Sequence, residues 1–219
     1  LGASALVPAS MGGGADALGE QENAIERDLL RYVGFGNKRA GGAGDTACGE
    51  WLAEELATAG YVIERQSFSA PFFEARRSTL DSGSTSAAVY PQPIVVQTGP
   101  EGLNGPLVRV DPAGRFAGSL EGAIALVDMA HARWSSMLAP GARGPIEAAF
   151  AAGAVAAVAI TNGPTGKVIA LNTDGRSPMF AGPVALIAPE DAGSFLAGAM
   201  VRQEARLTMH GAGGHRPAF

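Results

Sequence analysis

The hydrophobic pattern of residues 122–189 predicts strands that alternate with a helix. Residues 122–128 form a short apolar run typical of a buried strand, and residues 155–160 and 183–189 form two more. Between the first two runs, the small-residue segment 146–153 predicts a helix that ends at a glycine. A strand, a helix and a second strand in this order fit a right-handed crossover unit, which indicates parallel strands.

Helical periodicity dominates the first 60 residues. In residues 20–33, apolar side chains recur on one face of a helix and charged ones lie on the other. The apolar positions are Ile25, Leu29, Leu30 and Val33. A second helix follows, with Asp45 or Thr46 as its cap and Gly60 just past its end. Its expected buried stripe is Ala47, Trp51, Leu52 and Leu56.

Extended segments are predicted in the remainder. Residues 61–68 follow the second helix as a strand, and the clearest later strands are residues 94–97 and 107–110. Pro189 begins a helix that runs to about Met200. Apolar and polar residues then alternate over 205–210, which is typical of a half-buried strand. The change of texture near residues 69–73 predicts a domain boundary, and the fold class is therefore mixed α+β.

Composition excludes several classes of protein. The 219 residues are 47% hydrophobic and 17% charged, which favours a globular protein over a disordered one. The net charge is −5 and Lys and Arg form no block, so a nucleic-acid surface is not expected. Cys48 alone excludes an internal disulfide framework, and we expect it to be a packed apolar residue. No apolar run is long enough to span a bilayer.

The first residues resemble the end of a secretory signal peptide. An apolar stretch is followed by small residues within positions 1–17, as cleavage sites require, although the basic n-region is missing. The alternative is an ordinary flexible N-terminus. We expect residues 1–19 to be a leader or signal remnant and the protein to be extracytoplasmic or secreted, a periplasmic location included.

Two glycine-containing segments fail as nucleotide-binding motifs. Around the segment 162–168, a phosphate loop would need glycine at position 161 and Ser or Thr at position 168, but the chain has Thr161 and Val168. We therefore expect a strand-to-loop turn. Residues 42–44 precede a helix as a dinucleotide turn does. No strand comes before them, so we expect only a loop that caps the second helix.

Catalytic groups are not recognisable in the pattern. His131, His210 and His215 do not recur at helical metal-ligand spacing, and we expect each to be solvated. No Gly-x-Ser-x-Gly turn and no paired carboxylates occur, so we predict no catalytic residue and no metal ligand.

Four residues are candidates for interaction instead. Arg133 and Trp134 are of types that anchor interfaces, although Trp134 closing one end of the core is an equal alternative. Asn162 and Asn172 lie in the loop region 161–176, which follows a predicted strand and is a second candidate surface beside residues 129–145.

The first helices and strand resemble the N-terminal segment of the zinc aminopeptidase and glutamate-carboxypeptidase-like family. The residues that carry this resemblance are Arg39, Gly41, Gly42, Gly44, Ala47, Trp51, Leu52, Leu56, residues 59–63, Gln66 and Phe68. In that family two helices and a first strand open the peptidase domain. The resemblance implies that residues 20–69 are the N-terminal helical arm of a peptidase-like domain.

The crossover region resembles the protease-associated domain that is often inserted after this opening. The similar segments are residues 120–127, 148–162 and 183–188. The resemblance implies a protease-associated-like domain at residues 70–210, with a curved sheet and flanking helices. Residues 211–219 would begin the return into a peptidase half.

The resemblance implies a function for the whole protein that this chain only begins. The family's metal ligands lie after the insert, so we expect the non-catalytic front portion of a secreted zinc-peptidase-like hydrolase. We expect no cofactor in this chain, and zinc only if a catalytic half follows. The implied partners are the peptidase half, a peptide substrate or a protein. The alternative is a stand-alone protein-, peptide- or glycan-binding module, or a pseudoenzyme scaffold.

Overall fold

Helices and strands alternate along the chain in the computed structural model, which describes residues 14–131 and 136–218, with side chains from residue 23. The helices are α1 (Gly14–Gly34), α2 (Ala43–Thr58), α3 (Pro140–Ala151) and α4 (Gly193–Met200), and one turn of 3-10 helix covers Pro189–Asp191. The strands are β1 (Phe68–Ser82), β2 (Thr85–Ala88), β3 (Tyr90–Pro91), β4 (Leu103–Val110), β5 (Ile124–Asp128), β6 (Ala156–Ile160), β7 (Val184–Ile187) and β8 (Glu204–Ala218). The predicted α+β class is confirmed.

The chain divides into two compact units. The first unit comprises residues 1–70 and 216–219, and the second comprises residues 71–215. The second unit is thus a continuous segment that interrupts the sequence of the first. No helix within residues 14–131 or 136–218 combines the length and the apolar character needed to cross a bilayer.

Trp51 holds the two helices of the first unit together. The rings of Phe35 and Trp51 lie 5.6 Å apart between centroids, and the guanidinium of Arg31 lies 5.3 Å from the centre of the indole ring. The indole N–H donates to Oε1 of Glu55 at 2.9 Å, and Arg31 donates to the same oxygen at 3.3 Å. Cys48, one turn before Trp51, is buried and unbonded, as expected for a packed apolar residue.

The C-terminal end of α2 agrees with the prediction from the sequence, and its N-terminal end does not. Gly60 has a φ of +92° and its N–H donates to the carbonyl of Ala57, while the N–H of Tyr61 donates to that of Leu56. This pair of bonds is a Schellman motif, so the predicted glycine stop is confirmed. At the other end the cap is Gly42, so the prediction of an Asp45 or Thr46 cap was wrong.

Most of the predicted apolar stripes in the first unit are exposed. The α1 face, defined as Ile25, Leu29, Leu30 and Val33, has exposures of 55–67%. In α2, only Cys48 and Trp51 are buried, while Leu52 and Leu56 are each more than 40% exposed. The predicted strand at residues 61–68 is also absent before Phe68, and Val62 is 91% exposed.

The sheet of the second unit has a parallel centre and antiparallel margins. Its strand order is β2-β1-β8-β4-β5-β6-β7-β3, and β4 to β7 are parallel neighbours. β4 pairs with β8 over Leu103–Pro106 and with β5 over Leu107–Val110. This change of partner depends on Gly105, because a Cβ there would overlap the carbonyl oxygen of Gly122.

Both faces of the parallel strands are buried, which explains their nearly continuous apolar runs. On one face, Ile124 and Leu126 of β5 pack in a cluster with Phe195 of α4. On the other face, Ala125 and Val127 pack in a cluster with Ile146 of α3. The predicted strands at residues 122–128, 155–160 and 183–189 are confirmed as β5, β6 and β7.

Several predicted boundaries in the second unit were wrong. α3 begins at Pro140, six residues before the predicted start, because Pro140 fits the first helical turn. Residues 94–97 form no strand, and the helix predicted from Pro189 is interrupted after Asp191. The last strand continues well past the predicted end at residue 210, to Ala218.

The β1–β2 hairpin carries a charged cluster around Asp81. Burial of this carboxyl acts to raise its pKa, but hydrogen bonds from Ser86 and Thr79 and the charge of Arg77 outweigh it and leave the pKa lowered. The Thr79 hydroxyl donates to Asp81 at 2.9 Å, and Arg77 donates to it at 3.1 Å. Ser86 lies on β2, so its hydrogen bond to Asp81 links the two strands of the hairpin through side chains.

Candidate functional site

A cleft of about 230 Å³ lies at the carboxyl ends of β5 and β6. Ligands of α/β proteins commonly bind at this edge of a parallel sheet, because the loops that leave the strands diverge there. The lining residues come from three segments that converge on the strand ends: Met129, Ala130, His131, Ser136, Ala139, Gly141, Ala142, Thr161, Asn162, Ile169 and Leu171.

Backbone hydrogen bonds connect the loops around this cleft. Nδ1 of His131, after β5, lies 3.2 Å from the carbonyl oxygen of Asn162, after β6. Because a carbonyl oxygen only accepts, this bond places the proton on Nδ1 and leaves Nε2 as an acceptor. The N–H of Met137 donates to the carbonyl oxygen of Asn172 at 3.0 Å, within a parallel bridge between Ser136 and Asn172.

The loop after β6 is folded back on itself. The hydroxyl of Thr161 accepts the N–H of Ile169 at 3.1 Å, which returns the chain to the strand end. Gly163 permits this return, since a Cβ at that position would overlap Cδ1 of Ile169. The side chain of Ile169 is therefore held as one wall of the cleft.

Two ion pairs lie next to lining residues along the chain, and their side chains are not part of the described lining. Lys167 pairs with Glu190, and the hydrogen bond from this carboxylate raises the pKa of Lys167. Arg143 pairs with Glu147 at 2.6 Å on the outer side of α3. The described lining is mainly apolar, and its polar side chains are those of His131, Ser136, Thr161 and Asn162.

The polar side chains of the described lining form no nucleophile–base pair with one another. The hydroxyl oxygen of Ser136 accepts a hydrogen bond from the N–H of Leu138 at 3.2 Å. In the described part of the chain, the Ser136 hydroxyl forms no hydrogen bond with His131. A serine nucleophile requires a base within hydrogen-bond distance, and none is present in the described lining. No carboxylate that could orient a histidine is among the described lining residues.

Potential metal ligands are scattered over the described part of the chain. Among residues 14–131 and 136–218, no three His, Cys, Asp or Glu side chains are grouped so that they could hold a metal ion. Catalytic zinc sites require three protein ligands, so these residues do not fit a catalytic zinc.

The sequence candidates are distributed unevenly around the cleft. Asn162 lines it, and Asn172 lies beside it through its bond to Met137. Arg133 and Trp134 lie outside the described residues. His131, which we expected to be solvated, is exposed but lines the cleft. Sequence reasoning missed the cleft itself, although the polar residues directly after two predicted parallel strands were a usable signal.

The first unit carries a wide surface groove. It is lined by Ala53, Glu54, Ala57, Ile63 and Arg65. Arg65 bonds both carboxylate oxygens of Glu50 at 2.6 Å, and this hydrogen bonding lowers the pKa of Glu50. Since the guanidinium is already engaged, the groove offers less to a ligand than the cleft does.

Comparison with known proteins shows a likeness of fold. No family profile and no curated protein sequence matches the chain. The zinc aminopeptidase of Bacillus subtilis is similar in structure, with a TM-score of 0.60 and 20% identity over 85% of this chain and 43% of that one. A peptidase M28 precursor from Shewanella amazonensis SB2B gives 0.59 and 20% over 82% and 45%.

A third similar structure is the aminopeptidase from Aneurinibacillus sp. strain AM-1, with a TM-score of 0.55 and 16% identity over 82% of this chain and 42% of that one. The chain thus spans less than half the length of the peptidases that it resembles. At these identities the likeness concerns the fold, and the chain has a peptidase-related fold.

Proposed function

We propose that this chain is the front, non-catalytic portion of a zinc-peptidase-like hydrolase. The observation that carries the proposal is the asymmetry of the structural likeness: it covers 82–85% of this chain but only 42–45% of the aminopeptidases and the M28 precursor. A catalytic half of comparable length would follow and would hold the zinc.

The composition of the described surface supports this proposal. Four exposed apolar side chains on the α1 face lie within two turns of helix, and an amphipathic helix of this kind normally covers its apolar face with another element.

In this proposal the second unit is a protease-associated-like domain inserted in the peptidase sequence. Its continuous segment, residues 71–215, interrupts the first unit as an insertion does. We propose that it governs access of peptide substrates or binds a protein partner, and that the protein acts outside the cytoplasm. The signal-like composition of residues 1–17 supports the location.

The test begins with the codons that follow Phe219 in the source gene. If they encode a longer product, that product and the 219-residue chain are purified and compared for zinc content and hydrolysis of an aminoacyl p-nitroanilide. We expect stoichiometric zinc and chelator-sensitive hydrolysis in the longer product alone. Chelator-sensitive hydrolysis by the 219-residue chain would overturn the non-catalytic assignment.

A stand-alone binding module or pseudoenzyme scaffold is the second candidate function. The cleft at the ends of β5 and β6 favours it, because the cleft is built from the second unit alone and needs no catalytic half. A gene that stops after Phe219, or a longer product that takes up no zinc, would decide for this candidate and against the hydrolase.

A further inference from the structure

We propose that the cleft at the carboxyl ends of β5 and β6 binds one large apolar side chain, preferably aromatic, of an extended peptide. Neither the structural likeness nor the residues identified from the sequence assign a ligand to it. The proposal rests on the function above only for the choice of a peptide as the class of ligand.

The size of the cleft selects a single side chain. Small-molecule sites usually enclose about 300–1,000 Å³, and this cleft is smaller, at about 230 Å³. An apolar protein cavity of about 150 Å³ is already large enough to bind benzene. A phenyl or large aliphatic side chain therefore fits, and a larger whole ligand does not.

The chemistry of the walls selects an uncharged group. Among the described residues no Asp, Glu, Lys or Arg lines the cleft, so a charged side chain would lose its hydration there without gaining an opposite charge from them. Met129, Ile169 and Leu171 supply apolar surface, and methionine adds a polarisable sulfur that packs well against aromatic rings.

The polar groups of the lining select a peptide over a free hydrocarbon. Nε2 of His131 is left as an acceptor by the bond that Nδ1 makes, and it can accept a main-chain N–H. The Ser136 hydroxyl retains its hydrogen for donation, since its one bond among the described residues uses the oxygen as acceptor. The Asn162 side chain is exposed and carries both a donor and an acceptor. Such pairs bind the amide groups on either side of a bound side chain.

A matched pair of glycines in α3 provides the test. Gly141 lines the cleft and Gly144 does not, and neither has any atom within 4 Å of an added Cβ. Both variants Gly141→Leu and Gly144→Leu are therefore expected to fold, but only the first places a side chain in the cleft. Asn162→Ala is a further variant, and it removes an exposed amide without any packing change.

The measurement is a titration of the 219-residue chain with peptide, monitored through the NMR signals of the methyl groups of Met129, Ile169 and Leu171. The probe is Gly-Phe-Gly blocked at both ends, and blocked Gly-Gly-Gly and toluene are compared with it. We expect saturable shifts with the phenylalanine peptide and none with the glycine peptide. Gly141→Leu should weaken binding at least tenfold and Gly144→Leu less than twofold. Asn162→Ala should weaken binding of the peptide several-fold and leave toluene unaffected.

Four results would overturn the proposal. The first is that the phenylalanine peptide shifts no methyl signal, and the second is that toluene binds but the peptide does not. The third is that the two leucine variants lose affinity equally. The fourth is that the methyl groups of the cleft already contact another segment of the chain in the free protein. Zinc content and hydrolysis do not enter these readouts. Failure of the hydrolase proposal and failure of this one are therefore separate results.

Discussion

The exposed α1 face leads to a prediction that separates an interface from an ordinary surface. Leu29 is 58% exposed, so about two-fifths of its side chain is already out of water in the 219-residue chain. Full burial of a leucine stabilises a protein by about 1.5–3 kcal/mol. The variant Leu29→Glu should therefore destabilise the 219-residue chain by about 1 kcal/mol at most.

The same substitution should have a much larger effect in a product that includes the proposed peptidase half. Covering the α1 face would bury the remaining three-fifths of Leu29, which contributes a further ~1–2 kcal/mol. A glutamate at this position would also lose hydration without a partner, which costs several kcal/mol more or prevents the contact. We expect a total loss of about 3 kcal/mol or more in the longer product.

The assay is amide hydrogen exchange of peptides from α1 and α2, because exchange reports the opening free energy of this region alone. The control variant Arg27→Gln makes the same change of one charge on the opposite side of the helix. Arg27 is exposed, and its one ion pair among the described side chains is with Asp28, so its loss should change stability by less than about 0.5 kcal/mol in both products. A loss above 2 kcal/mol for Leu29→Glu in the 219-residue chain, or equal losses in both products, would refute the reasoning.

Three further predictions concern stability, and urea unfolding or hydrogen exchange of the affected unit measures each. Gly105→Ala should destabilise the second unit by about 1–3 kcal/mol, because the added Cβ would clash with the backbone carbonyl of Gly122, which cannot move aside as a side chain can. The control Gly144→Ala should stabilise α3 by about 0.5–1 kcal/mol. Equal effects of the two substitutions would contradict this account. Gly60→Ala should cost the first unit about 1–2 kcal/mol, since its φ of +92° is unfavourable for alanine, and a neutral result would show that the end of α2 rearranges. The lowered pKa of Asp81 contributes stability that is present above the unfolded-state pKa and is lost as the pH falls through the folded-state pKa. Asp81→Asn should therefore lower the free energy of unfolding at pH 7 and make it fall less steeply in acid. An unchanged dependence of stability on acid pH would rule out this contribution.

Buried parallel strands were predictable because their sequence signal is local and complete. Apart from Asp128 at the end of β5, every residue of β5, β6 and β7 is buried and apolar, so the sequence shows three clear apolar runs. Gly60 was equally clear, because the end of a helix requires a residue that tolerates positive φ.

Segments whose conformation depends on a partner were not predictable in the same way. Residues 61–68 have the composition of a strand, yet residues 61–67 pair with no strand among the described residues. Strand propensity measures how a side chain fits a half-buried sheet surface, so it gives no strand without neighbours. The proposed peptidase half would supply such a neighbour.

The cleft was not predictable as a site because no single motif encodes it. Its walls come from the ends of two strands, the first turn of α3 and a loop held back by Gly163. Of the candidate residues, only Asn162 could be placed there through its position directly after a predicted strand. His131 and Asn162 lie close together because β5 and β6 pair in parallel, so the loops that follow the two strands leave the same edge of the sheet.

The interrupted sequence of the first unit sets an order for its synthesis. Arg216 and Pro217 lie against Gly41, so the first unit includes residues made long after its helices. Roughly 145 residues of the second unit must be translated in between, which takes about 7–30 s at ordinary rates of elongation. The second unit is continuous and can fold during that interval, whereas α1 and α2 must wait, with apolar side chains open to chaperones on the nascent chain.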